Sequence, residues 1–138
     1  MGGIKRTPAD IAFSKVVREA ADWTCVTCRQ VYPRGSGGLE CSHGFSRGNW
    51  SIRFKGMNAR AQCVACHFRV GGAWMQQELT EFEREVLQEW RLDALMGKAY
   101  RATKGKGEIA KHYRDELERL LELRRQGYVG PLEFEDWY

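Results

Sequence analysis

Cys25-Val-Thr-Cys28 and Cys63-Val-Ala-Cys66-His67 are two Cys-x-x-Cys units with 34 residues between them, and they set the architecture of this chain. Two thiolates at that spacing grip half of a tetrahedral ion, and two such knuckles close a four-thiolate site. Cys25, Cys28, Cys63 and Cys66 are therefore the expected ligands of a structural Zn²⁺. A redox Cys-x-x-Cys is the rival, but it needs a βαβ context that neither pair has. A closed site has no open position for a substrate, so any chemistry must lie elsewhere. Cys41, the odd cysteine, is either a small buried hydrophobe or an alternative ligand.

On the N-terminal side, residues 7–21 predict a helix. Thr7 is placed to cap it, Pro8 suits its first position and Asp10 puts negative charge in its first turn. Ile11, Phe13, Val16, Val17 and Ala20 give it an apolar stripe. Between the knuckles, 33–38 is a Gly-rich turn, 39–45 is a short strand and 46–57 is an exposed loop mixing Gly, Ser, Asn, Arg and aromatics. Beyond Gly71-Gly72 the periodicity is helical from residue 73, with a Gly/Lys-rich linker at 97–107. A strong helix follows at 108–126, closed by Gly127, and then an acidic, aromatic tail that packs on the body or on a partner. The class is α+β. Residues 1–72 form an N-terminal helix plus a zinc-bound core, and 73–138 form a helical region that packs on the core or makes a dimer interface.

The chain has 138 residues, 43% of them hydrophobic, which is enough for one real core and argues against wholesale disorder. No stretch approaches the ~18 apolar residues of a membrane span, and the start carries no secretory h-region. With paired cysteines that suit metal in a reducing compartment, these features predict a cytoplasmic protein with no membrane partner. The net charge is +4, but residues 1–70 carry +7 and residues 71–138 carry −3. The basic excess accompanies the cysteines, as expected of a nucleic-acid face, although a solvated surface gives the same asymmetry.

Three further residues bear on chemistry. His43 lies in the strand-like segment between the knuckles, Asn58 precedes His67 by nine positions, and His67 directly follows the second knuckle. A phosphodiester resists attack through its own charge, which a divalent ion can neutralise. A neutral imidazole can take a proton from water near neutral pH, and an amide can hold it in the working orientation. His, Asn and His woven through two zinc knuckles is similar to the ββα-metal (His-Me finger) site of HNH nucleases. His112, on the last helix, reads as a surface residue.

Phe13-Ser-Lys-Val-Val-Arg-Glu-Ala-Ala-Asp22, Cys25-Val-Thr-Cys28, Cys41-Ser-His43-Gly-Phe-Ser-Arg47, Ile52-Arg-Phe54, Asn58 and Gln62-Cys63-Val-Ala-Cys66 together resemble the phage NinG/Rap recombination-protein family. The similarity is strong to about residue 72 and weaker to 126. The resemblance implies an HNH-like, structure-specific endonuclease that cuts branched DNA such as Holliday junctions and D-loops. The central site is also similar to junction resolvases of the endonuclease VII type. Carried over by position, His43 is the general base, Asn58 a catalytic-site residue, and His67 a ligand of a catalytic Mg²⁺ or Mn²⁺. Arg47 and Arg53 match family positions and are expected at phosphates.

The sequence departs from the pattern at Ser42, which stands where many HNH sites have a metal-ligating Asp or His. Glu40 is the nearest carboxylate, and strand alternation puts it on the opposite face from His43. In the loop, Arg47, Arg53 and Lys55 supply cations and Trp50 a surface on which an unstacked base can lie. Trp50 and Phe54 can equally cover the small core. Symmetric cutting of a four-way junction needs two sites, which a homodimer supplies, and recombination proteins of phage or host are possible partners. The competing functions are a non-catalytic zinc module that binds DNA or recombination proteins, and an HNH enzyme acting on ordinary duplex.

Overall fold

The computed structural model describes residues 6–44, 53–74 and 106–137, with a few positions between 77 and 84. In chain order the elements are helix α1 (Pro8–Ala20), strand β1 (Leu39–His43), strand β2 (Ala59–Cys63), helix α2 (Val64–Val70) and helix α3 (Lys106–Arg125). A 3-10 turn, Gly56–Asn58, leads into β2. The described residues are thus mixed α and β, and these elements comprise three helices and a two-stranded antiparallel sheet. Most of the expected 46–57 loop, most of the helical stretch expected from residue 73 and most of the 97–107 linker lie outside the described residues. Lys106 and Gly107, assigned to that linker, belong to the first turn of α3.

α1 begins with a capping box. The Asp10 amide donates to Thr7 Oγ1 at 3.2 Å, and the Thr7 amide donates to Asp10 Oδ2 at 2.7 Å. Its apolar residues Phe13, Val16, Val17 and Ala20 pack against Ile109, Ala110, Tyr113 and Leu120 of α3, with Phe54 and Ala59 completing the cluster. Leu117 and Leu120, in the region expected to pack on the core or make a dimer interface, pack within the chain. α3 ends at Gly127 (φ +99°), a left-handed position that suits glycine, and the Tyr128 amide returns to the Leu123 carbonyl at 3.1 Å.

The C-terminal tail doubles back over this core. The Leu132 amide donates to the Ala20 carbonyl at 2.8 Å, and Phe134 and Trp137 lie against the α1–α3 cluster. A second cluster, Trp23, Cys25, Leu39, Ala61, Cys63 and Cys66, surrounds the cysteines.

β1 and β2 pair with Leu39 opposite Cys63, Cys41 opposite Ala61 and His43 opposite Ala59. Directly opposite residues share a face. Leu39, Cys41, His43, Ala59, Ala61 and Cys63 therefore face α1 and the cysteines, whereas Glu40, Ser42, Arg60 and Gln62 face the other way. β1 stops at His43, one residue before Gly44, and residue 45, the expected end of the strand, lies outside the described residues. The Gly44 amide instead closes the hairpin on the Asn58 carbonyl at 2.9 Å.

Candidate functional site

The two knuckles form in different ways. After α1, the Trp23 carbonyl accepts the Tyr32 amide at 2.8 Å, and the Cys25 amide donates to the Gln30 carbonyl at 2.9 Å. Arg29 turns the chain with a left-handed φ of +64°. The second knuckle straddles the junction of β2 and α2, where Cys63 caps the helix by accepting the Cys66 amide at 3.4 Å. The Val26 amide ties the first knuckle to β2 through the Ala61 carbonyl at 2.9 Å.

The four sulfurs of Cys25, Cys28, Cys63 and Cys66 lie within 4.8 Å of one another, with Cys28 Sγ 4.0 Å from Cys63 Sγ. Tetrahedral zinc–thiolate bonds place sulfurs about 3.8 Å apart, so the cluster can hold a metal such as zinc. Backbone donors aim at the sulfurs: the amides of Thr27, Cys28 and Cys63 reach Cys25 Sγ at 3.4, 3.5 and 3.3 Å. Burial pushes the Cys25 thiol up, but these amides outweigh it and bring it down to about 6. Tyr32 and the Cys66 amide lower Cys63, while Arg69 Nη2 lies 3.6 Å from Cys66 Sγ. Cys66 itself is pushed up to about 12, chiefly because it shares a proton with Cys63. Cys41 is not in the cluster; it lies half-buried against the α1–α3 core.

Beside this cluster a cleft of about 330 Å³ runs along β1. His43 and His67 both line it, as do Glu40 and Cys41. Its opposite wall is α1, through Asp10, Ser14 and Arg18, spaced by four residues so that they share one helix face, with Arg6 ahead of the helix. His43, at the end of β1, packs its ring on Phe13 of α1, with centroids 6.1 Å apart. His67 arrives from α2, and its Nδ1 lies 3.1 Å from Glu40 Oε1. Asn58 is fully buried at the end of the 3-10 turn, across the hairpin mouth from the residue that follows His43.

Glu40, expected on the opposite strand face from His43, lines the same cleft as His43, and its carboxylate lies against His67.

Arg53 requires a correction. Expected at a phosphate, its guanidinium is buried and forks onto Asp10, with Nε 3.0 Å from Oδ1 and Nη2 2.6 Å from Oδ2. Burial raises the Asp10 carboxyl, but Arg53 and Thr7 more than offset this and hold it below its ordinary value. Lys55 is half-buried, its carbonyl accepting the Asn58 amide at 2.9 Å. Arg47 and Trp50 lie outside the described residues.

The sequence reading passed over Arg18. Its Nε donates to the Ser14 carbonyl at 3.1 Å and its guanidinium stands 5.1 Å from the Trp23 ring centre, which holds a cation at the cleft wall. The signal available was the Asp10–Ser14–Arg18 polar line on a helix otherwise read for its apolar stripe.

No helix among the described residues is long and apolar enough to cross a membrane. Compared with protein-family models, with curated proteins and with solved structures, the chain shows no significant match.

Proposed function

We propose that this protein is a metal-dependent DNA endonuclease of the HNH type that hydrolyses phosphodiester bonds in branched DNA, as its resemblance to NinG/Rap proteins implies. The observation that carries the reading is the convergence of His43 and His67 on one cleft, in strand–loop–strand–helix order, beside four clustered cysteines. In this reading Cys25, Cys28, Cys63 and Cys66 hold a structural Zn²⁺, which fixes the start of α2 and so the place of His67. His43 takes the proton of the attacking water. Asn58 braces the hairpin end that carries His43. Arg18 and Arg6 offer cations to the phosphate backbone from the opposite wall. A divalent ion held through His67 would neutralise charge developing on the phosphate and the leaving oxygen.

A second reading, a non-catalytic zinc module that binds DNA or recombination proteins, draws support from the packing of His43 on the core residue Phe13. Cleavage of a labelled four-way junction beside a linear duplex of matching sequence separates the two. It is run with Mg²⁺, Mn²⁺ or EDTA, using wild type and His43→Ala. The nuclease reading expects junction-selective cutting that needs both a divalent ion and His43. Tight junction binding without cutting under either metal favours the non-catalytic module. Cutting by His43→Ala at the wild-type rate removes His43 as the base.

A further inference from the structure

We propose that Phe68 of α2 is a base-stacking residue that holds an unpaired nucleobase of the DNA and so favours branched over fully paired substrate. This deepens the branched-DNA reading above and rests on it, but not on which residues cut. Of the residues of α2, Val64 to Val70, only Cys66 is buried. The helix is held through its cysteines, so it needs no apolar face to stay in place. Yet Phe68 is 90% exposed, and Val64, four residues earlier on the same helix face, is 46% exposed. A phenyl ring held in water forgoes the burial that ordinarily stabilises it. This one directly follows His67, which lines the candidate cleft.

Charge decides what covers the ring. Between Asp22 and Glu78 the chain has one acidic residue, Glu40, against seven Lys and Arg. Arg34, Arg53 and Arg60 are paired with Glu19, Asp10 and Glu78. Arg29 and Arg69, both exposed, have no carboxylate partner among the described residues. Arg29 directly follows Cys28, and Arg69 Nη2 lies 3.6 Å from Cys66 Sγ, so both stand at the edge of the four-sulfur cluster that carries α2. A second copy of this chain would set these cations against their like. A polyanion is attracted instead, its phosphates meeting the arginines and an exposed base meeting the ring. A base inside a duplex is already stacked on both faces and leaves the phenyl nothing to lie on. A branch or a single strand offers a free face, and aromatic stacking on it tolerates any sequence.

The test measures binding of the zinc-loaded full chain to a four-way junction, a single strand and a linear duplex of matching sequence, by fluorescence anisotropy without added Mg²⁺ or Mn²⁺. Wild type is compared with Phe68→Ala, Phe68→Trp, Arg29→Gln and Lys111→Ala, the last an exposed residue of α3. Phe68→Ala is expected to weaken junction and single-strand binding by about tenfold and to leave duplex binding, zinc content and circular dichroism unchanged. Phe68→Trp should keep the affinity, because it keeps a ring to stack on. Arg29→Gln should weaken all three substrates alike, since phosphates are common to them, and Lys111→Ala none. A junction carrying 5-iodouracil at its crossover should crosslink to Phe68 on irradiation. Junction binding undiminished in Phe68→Ala, or an equal loss on all three substrates, overturns the stacking site while the branched-DNA reading stands on the junction preference of wild type. A lower sedimentation coefficient for Phe68→Ala with DNA binding intact assigns the ring to a second copy and overturns the site as well. If wild type shows no preference for the junction over duplex but Phe68→Ala still loses single-strand affinity, the stacking site stands and the branched-DNA reading falls.

Discussion

Arg53 shows how one side chain changes its meaning with its surroundings. An arginine in a loop of cations and aromatics invites a phosphate, yet here its fork is matched to Asp10, and both side chains are almost fully buried. Removing one member of such a pair leaves a buried charge without its counter-ion, which costs about 3–5 kcal/mol. Arg53→Ala is therefore expected to lose about 3 kcal/mol of stability in urea unfolding and to lower DNA affinity only through unfolding. Arg18→Ala should behave oppositely. It leaves the fold within about 1 kcal/mol and flattens the salt dependence of DNA binding by close to one phosphate contact. If Arg53→Ala folds as well as wild type, the fork is not the structural anchor described above.

The elements around the site depend on two local devices, a cap and a knuckle. Thr7 caps α1 and also donates its hydroxyl to Asp10 Oδ2 at 2.8 Å, the oxygen that accepts Arg53. Thr7→Ala is expected to cost about 1–2 kcal/mol, in the upper part of the usual capping range, because the Arg53–Asp10 pair loses a brace. Thermal unfolding measures it, and a shift matching an ordinary exposed substitution would contradict the coupling. Cys63 has two duties, as a member of the four-sulfur cluster and as the cap of α2. With zinc in the cluster as proposed, Cys63→Ala is expected to lose the metal and helical signal together, because the binding free energy of a metal held only by the folded site adds to folding. Zinc released with no change in circular dichroism would show that α2 stands without the metal.

Across the whole molecule, Glu19 joins parts far apart in sequence. Its carboxylate, 2% exposed, accepts Arg34 from the loop after the first knuckle at 2.7 and 2.8 Å, Arg124 from α3 at 3.2 Å, and the Trp23 indole at 3.2 Å. Burial pushes this carboxyl up, but the hydrogen bonds of Arg34, Trp23 and Arg124 hold it below its ordinary value of 4.5. A depressed carboxylate adds stability that is complete above the unfolded value and is lost as pH falls through the folded one. Glu19→Gln is therefore expected to be about 3 kcal/mol less stable than wild type at neutral pH. That gap should shrink as pH falls from the unfolded value through the depressed folded one, where wild type also takes up the proton. Urea unfolding at neutral pH and in acid measures it. A gap that persists at low pH would assign the effect to shape rather than charge.

Much of this architecture is local and so could be read directly from residue order. The cap at Thr7 and Pro8, the apolar stripe of α1 apart from the exposed Ile11, the stop at Gly127 and the four-cysteine set depend on neighbours within a turn or on chemistry that spacing alone implies. The placement of His43 at a strand end and His67 after the second knuckle is of the same kind. The partners of charged side chains were not legible. Whether Arg53 meets Asp10 or a phosphate, whether Glu40 meets His67, and whether Leu120 meets α1 or a second chain all turn on contacts between residues distant in sequence. Those contacts are chosen by how α1, the hairpin and α3 pack, since burial makes an unmatched charge costly and an unmatched apolar face unfavourable.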